Sequence, residues 1–389
     1  MSASTARGPL KGMRVVEIGA IGPAPFAAMM LADMGAEVVR VERGGGGPLV
    51  ERGATVRGRH VVEADLKDEA QRAALIELVR CSDVLVEGFR PGVMERLGLG
   101  PAEMLAANPK LVYARMTGWG QDGPLAATAG HDIDYIAISG ALHAMGPAGQ
   151  PPTVPLNLVG DYGGGAMFLV AGILAAHIEA RRSGLGQVVD AAICDGALSL
   201  MSLFHRLRAE GEWRDERASN LLDGAAPFYR CYECKDGLHL AVGAIEPQFY
   251  ALLRQIAGWA DEGFDHPHDR ARWPELGARA EALMRTRTRD EWMALFDGTD
   301  ACVAPVLSIE DAKAHPHLRA RRAFVEVDGE TQPAPAPRFS RTPSSARPSQ
   351  RAGSLESLLA KWRPSGDDHP IRIQRTSAAE RESQRRHSK

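Results

Sequence analysis

His131 and Asp161 are the two side chains whose neighbours in sequence look most like proton-transfer chemistry. His131 sits in "GHDIDY", directly after Gly130 and before Asp132; Asp161 sits in "NLVGDYGGG", ahead of Gly163, Gly164 and Gly165. An imidazole and a carboxylate are the common general acids and bases. The segment after His131 reads as a helix, which places His131 and Asp132 at its N-terminus, where free N–H groups favour developing negative charge. A structural reading stands beside this one: Asp132 or Asp134 caps the helix and His131 is a turn residue. Asp161 likewise reads as the N-cap of the apolar run that follows it. The three glycines each cost that helix about 1 kcal/mol relative to alanine. They are tolerable only if something bulky approaches the backbone or another helix packs very closely. Asn157, four residues before Asp161, could orient its carboxylate. Glu246 precedes Pro247 at a helix start and has a purely structural reading by itself.

These residues need a scaffold, and the pattern supplies one. Short β-branched runs at 13–20, 36–42, 59–66, 83–89 and 111–120 alternate with helical stretches. Such alternation implies a parallel sheet with helices on its faces, a Rossmann-like α/β fold. Arg40, Arg43, Lys67, Arg90 and Arg96 fall at the ends of these strands. Ligands of open α/β sheets bind outside the carboxyl ends of the strands, so the cations point to a polyphosphate or nucleotide-like ligand. The first βα turn, "GAIGPAP", lacks G-x-G-x-x-G, and its prolines remove amide donors that a dinucleotide cradle uses. NAD binding of the usual kind is therefore not expected. Cys231 and Cys234 in "CYEC" fall on opposite faces of a strand and have no second pair, so no zinc or redox site is expected.

The chain has 389 residues, 44% hydrophobic content and a net charge of −3, enough for a large core and without the bias of a nucleic-acid or membrane-surface binder. The expected organisation is a large Rossmann-like domain over 1–224 and a smaller α+β domain over 225–325. A return segment over 326–350 and a charged, disordered tail over 351–389 follow. Two alternating runs meeting at Asp236-Gly237 predict a hairpin in the smaller domain. The run "AMFLVAGILAA" at 166–176 is too short to span a bilayer and reads as a buried core helix. Five cysteines without framework spacing, no apolar leader and a terminal "RRHSK" together lead to a cytoplasmic expectation.

Several stretches in order, "LKGMRVVEIGAIGPAPFAAMMLADMGAEVVRVER", "EGFRPGVMERLGLGP", "YARMTGWGQDGP", "GHDIDY", "PLNLVGDYGGG", "GQVVDAAICDG" and "GAIEPQFY", resemble the racemase branch of the family III CoA-transferases, the CaiB/BaiF group. The resemblance covers about residues 9 to 345. It implies an interlocked homodimer whose active site lies between one subunit's large domain and the other's small domain. It implies coenzyme A contacts at Arg43, Ala64, Asp65, Leu66, Lys67, Gly88, Phe89, Arg90 and Arg96, and along Gly130, Asp132, Ile133, Asp134 and Tyr135. Arg40 is not among them. Catalytic roles fall on His131 and Asp161, with Glu246 near the histidine and Asn157 beside the aspartate. The implied reaction interconverts (R)- and (S)-2-methylacyl-CoA thioesters through an enolate, with coenzyme A as part of the substrate, no other cofactor and no metal. The glycines after Asp161 would let the acyl-thioester lie against the backbone. "AMGPAGQ" and "ALSLMSLF" are candidates for lining an acyl chain, although core packing explains them equally well. Two alternatives stand beside this reading: a CoA-transferase in which Asp161 is a nucleophile, and a non-catalytic acyl-CoA binding protein.

Overall fold

The computed structural model describes residues 7–44 and 53–363. The first half alternates as its sequence predicts: β1 (Arg14–Ile18), α1 (Pro23–Asp33), β2 (Glu37–Glu42), β3 (Arg59–Glu63), α2 (Glu69–Arg80), β4 (Val84–Glu87), α3 (Val93–Arg96), α4 (Pro101–Ala107) and β5 (Val112–Thr117). There follow α5 (Asp132–Ile138), a π-helical segment (Leu158–Ala166), α6 (Met167–Ser183), β6 (Gln187–Ala192), α7 (Ile193–Leu200) and α8 (Ser202–Ala209). A second group comprises β7 (Tyr229–Glu233), β8 (His239–Gly243), α9 (Pro247–Ala257), α10 (Trp273–Met284), α11 (Arg289–Phe296) and β9 (Val303–Pro305). The described chain closes with α12 (Ile309–Ala314), α13 (Pro316–Ala320), the hairpin β10 (Phe324–Val327) and β11 (Glu330–Pro333), β12 (Gln350–Arg351) and α14 (Leu355–Trp362).

Seven strands form one parallel sheet in the order β12-β3-β2-β1-β4-β5-β6. Because both faces are covered, the strands are apolar on both sides. Val15, Val38 and Val84 face the layer of α1 and α6, whereas Val16, Val39 and Leu85 face the layer of α2 and α14. The strand order reverses between β1 and β4, the crevice where open sheets hold ligands. In the second group, β7 and β8 pair antiparallel around Asp236-Gly237, with Gly237 at φ +76°, as the hairpin signal predicts. β9 joins their edge over a core of Trp259, Phe264, Trp273 and Trp292.

Three sequence expectations change here. The charged tail does not begin at 351. Gln350 and Arg351 pair with β3, and Leu355, Leu358, Leu359 and Trp362 of α14 enter the core against α2. That spacing is a single helical face, and the charges around it lie outside. The remainder of the expected tail, from 364, lies outside the described residues. The apolar run at 166–176 belongs to a longer continuous helix, Leu158–Ser183, long and apolar enough by length and composition to cross a membrane. Leu169, Val170, Ile173, Ala176 and Ala180 pack into the sheet core, but Met167, Phe168 and Ile178 are exposed, so only one face is a core face. Arg40, finally, is no ligand-facing cation. It is buried, ion-paired to Glu17 and Glu42, and donates to the carbonyl of Ala20 at 3.1 Å. Burial alone would lower its pKa, yet the two glutamates carry it above its usual value.

Candidate active site

Cavities open at the carboxyl end of the sheet crevice. The first, of about 320 Å³, is walled by the turn after β1 (Gly22), the turn after β4 (Gly88, Arg90), and His131, Tyr135 and Asp161. The fold thus brings together the two proton carriers that stand 30 residues apart in sequence. Their settings differ: His131 is exposed and Asp161 half-buried. His131 is the N-cap of α5 in extended backbone, and its N–H donates to Asp134 Oδ2 at 2.9 Å. The residue before it is held too, since Tyr135 donates its hydroxyl to the carbonyl of Gly130. The Tyr135 ring leaves no room for a Cβ on Gly118 and meets Trp119 edge-on at 4.6 Å. Burial, and then the Asp161 and Asp134 charges, push the Tyr135 phenol up to about 12.

Asp161 is not an N-cap. It lies inside the π-helical segment, whose N-cap is Asn157, and the Asn157 carbonyl accepts the N–H of Tyr162 at 3.2 Å. The Asp161 N–H donates to Asp132 Oδ2 at 2.6 Å. Its carboxylate faces Gly22, where a Cβ would stand 3.2 Å from Oδ2. Gly22 has φ +73°, so both its backbone and its space favour glycine. The glycines after Asp161 have a different task from the one the resemblance implies. Gly164 lies against the backbone of α7 at Ala197, and Gly165 against Ile193 and Pro23. A Cβ on Gly196 of α7 would overlap the carbonyl of Gly164. A neighbouring helix, rather than an acyl-thioester, occupies the space that side chains would fill.

The second cavity, of about 600 Å³, is lined by Arg43, the run Ala64 to Lys67, Phe89 and Arg96. Phe89 also lines the first cavity, so the two adjoin. Its backbone is fixed from below: the Phe89 N–H donates to buried Glu87 Oε2 at 2.7 Å, and Arg115 holds the other Glu87 oxygen at 2.8 Å. Desolvation raises the Glu87 carboxyl, opposed by the Phe89 amide and Arg115. Asp65 spends its carboxylate on the turn, accepting the Lys67 N–H at 3.0 Å.

Five of the expected residues line neither cavity, and Asn157, the N-cap of the π-helical segment, is one of them. Asp132 turns its carboxylate inward to Asp161, while Ile133 and Asp134 are exposed on α5. Glu246 is the exposed N-cap of α9, in the group built on β7, β8 and β9. The two apolar stretches singled out in sequence do meet: Met145 and Gly146 from one, Met201 and Phe204 from the other, line a third cavity of about 410 Å³ beyond the end of α5. Sequence reasoning missed Glu87, Arg115, Glu17 and Arg59, whose partners sit on other strands of the sheet.

The family model for CoA-transferase family III matches residues 10–353. The chain belongs to CoA-transferase family III. Among curated relatives, alpha-methylacyl-CoA racemase of Mus musculus is 44% identical over 368 residues, spanning 94% of this chain and 92% of that protein. The human protein of the same name is 43% identical over 336 residues, spanning 86% and 87%. Acetyl-CoA:oxalate CoA-transferase of Acetobacter aceti is 31% identical over 347 residues, spanning 84% and 88%. Among solved structures, a CAIB/BAIF family protein from Brucella suis superposes with a TM-score of 0.77 at 25% identity, covering 92% of this chain and all of that one.

Proposed function

We propose that this member of CoA-transferase family III is a racemase that interconverts the (R) and (S) epimers of 2-methylacyl-CoA thioesters. One observation carries the reading: His131 and Asp161 reach the same cavity from different elements, and the adjoining cavity bears Arg43, Lys67 and Arg96. Inverting a carbon requires a base on one face and an acid on the other. A thioester acidifies the proton on its α-carbon, because the charge left behind moves onto the thioester oxygen. In one direction His131 removes the proton and Asp161 returns one to the opposite face; in the other the roles exchange. The amides of Asp132 and Ile133, first in α5, lie beside His131 and would face the enolate oxygen. The cations of the second cavity would hold the phosphates of coenzyme A. The resemblance to racemases at 43–44% identity supports this assignment over transfer of coenzyme A. A non-catalytic binding protein would have no use for both proton carriers in one cavity.

The third cavity, lined by Met145, Met201 and Phe204, is the proposed seat of the acyl chain. Glu246 would reach His131 from a partner subunit in a homodimer, and the exposed apolar surface of the site elements, with Leu156 70% and Ile178 67% exposed, supports such a partner. We place the enzyme in the cytoplasm, with neither nucleic acid nor membrane as partner and with coenzyme A carried only as part of the substrate. Proton NMR of a 2-methylacyl-CoA in D2O with purified enzyme tests the assignment. Deuterium should enter the α-position and the two epimers should equilibrate, with or without EDTA. Several such thioesters recovered without deuterium would end the racemase reading.

A further inference from the structure

We infer that Asp132 is a positioning residue that fixes the backbone of Asp161 relative to His131, and that it serves the Asp161 half of the proton exchange selectively. The inference rests on the racemase reading. Asp132 follows His131 directly, yet its side chain is only 9% exposed and turns away from the cavity that His131 enters. Its Oδ2 accepts the Asp161 N–H at 2.6 Å, and the amide of Gly160 is directed at the same carboxylate. A Cβ on Gly160 would overlap that oxygen, so glycine is what lets the carboxylate in. The other oxygen, Oδ1, is buried with no hydrogen-bond partner.

A carboxylate buried with one oxygen unsatisfied is a costly choice, because the group loses its hydration without full compensation. Desolvation accordingly raises the Asp132 carboxyl, opposed by the two amides. An apolar residue would fill the space more cheaply. What it would not do is accept the amides at the start of the π-helical segment. The first N–H groups of a helix have no acceptor within it, and a π-helical turn is a rare conformation found often at functional sites. Asp132 supplies the missing acceptor at the residue that carries the catalytic carboxylate. The result is a short rigid path from one proton carrier to the other: the His131–Asp132 peptide, the Asp132 carboxylate, then the Asp161 amide.

Selectivity follows because His131 has supports of its own. Its N–H is bound by Asp134 at 2.9 Å, and the Gly130 carbonyl is bound by Tyr135. Removing the Asp132 carboxylate leaves both in place. The Asp161 backbone would lose its acceptor, and a displacement on the order of 1 Å at a reacting group can cost about 10²-fold in rate.

The test is α-proton exchange in D2O, measured separately from each epimer of one 2-methylacyl-CoA. Wild-type enzyme should wash deuterium into both. Asp161→Asn identifies the epimer whose proton Asp161 removes. Asp132→Ala should slow exchange of that epimer about 10²-fold and leave the other close to wild type. Gly160→Ala, which evicts the carboxylate without changing a charge, should show the same asymmetry. Asp132→Asn keeps one acceptor oxygen and should recover most of the lost exchange. Equal losses from both epimers in folded variants, or no loss at all, would overturn the inference. Should Asp132→Ala fail to fold, Gly160→Ala and Asp132→Asn decide the matter by the same asymmetry. No exchange by the wild type would instead remove the racemase reading, and this inference with it.

Discussion

Asp161 and His131 stand on different elements, so each can be replaced without dismantling the other. Asp161→Asn should abolish net inversion while His131 still exchanges the proton of one epimer with retention; His131→Ala should show the mirror result. Acid–base groups contribute about 10²–10⁴-fold, which makes the lost half large and the surviving half measurable by NMR. The same aspartate separates the racemase from a transferase. A carboxylate that only moves protons is never acylated, so hydroxylamine added during turnover should leave Asp161 unmodified by mass spectrometry. A hydroxamate at Asp161 would assign it as a nucleophile. Tyr135 makes a pH prediction. Its phenol is pushed up to about 12 by burial and by the Asp161 and Asp134 charges. It therefore stays protonated through neutral pH and keeps its hydrogen bond to Gly130. Tyr135→Phe should lower kcat without removing any limb of the pH–rate profile below about pH 10, since the group that titrates there is not this one.

Elements hold these side chains through contacts that admit no substitute. A Cβ on Gly196 would meet the carbonyl of Gly164, a backbone atom that cannot swing aside. Gly196→Ala should destabilise the fold by at least about 2 kcal/mol, read from urea unfolding. The loop facing Asp161 is held from its two ends. Arg40 binds the Ala20 carbonyl, Arg59 binds the Pro25 carbonyl, and buried Glu17 is ion-paired with both arginines, Glu42 being the second partner of Arg40. Glu17→Gln leaves two buried guanidinium groups short of charge and should cost about 3–5 kcal/mol. This network marks where sequence reading stops. The β/α alternation was legible because strands buried on both faces are nearly continuous apolar runs, and the β7–β8 hairpin because Asp236-Gly237 needs little context. Arg40 reads as a ligand-facing cation because its partner, Glu17, is set by the register of β1 on β2, a tertiary fact. The π-helical turn at Asp161 has no sequence signature of its own, so an N-cap was the natural reading. α14 did carry a signal: Ser354 caps it and Leu355, Leu358, Leu359 and Trp362 share one face. The charges surrounding it hid that period.

At the scale of the whole molecule, Glu246 lines neither of the cavities that hold His131, Asp161 and the exposed cations. Among the described residues the first cavity takes its walls from the large sheet and its loops, whereas Glu246 caps α9 beside the three-stranded sheet. The second cavity takes its described lining from the strands of the large sheet and the loops and helix that follow them. Arg43→Ala and Arg96→Ala should raise KM for acyl-CoA more than they lower kcat, because remote phosphates are held equally in ground and transition states. A hundredfold drop in kcat at unchanged KM would remove them from the binding site. For Glu246 the proposed answer is a second copy. Ile138, Leu158, Met167 and Ile178 are exposed on the very elements that carry or follow His131 and Asp161, and Leu156 is exposed just before the π-helical segment. Apolar surface gathered on catalytic elements is better covered than left in water, and a partner covering it could bring its own α9 to the site. The decisive measurement is complementation. Glu246→Ala and His131→Ala are each expected to be nearly inactive as homodimers. Co-refolded, they form heterodimers in which one of the two sites receives an intact His131 from one chain and an intact Glu246 from the other. Statistical mixing gives about half heterodimer, with one working site in each. Activity should therefore return to about a quarter of the wild-type value per site, by counting alone, if Glu246 acts across the interface. If Glu246 served the site of its own chain, every site in the mixture would lack one residue or the other, and no activity would return.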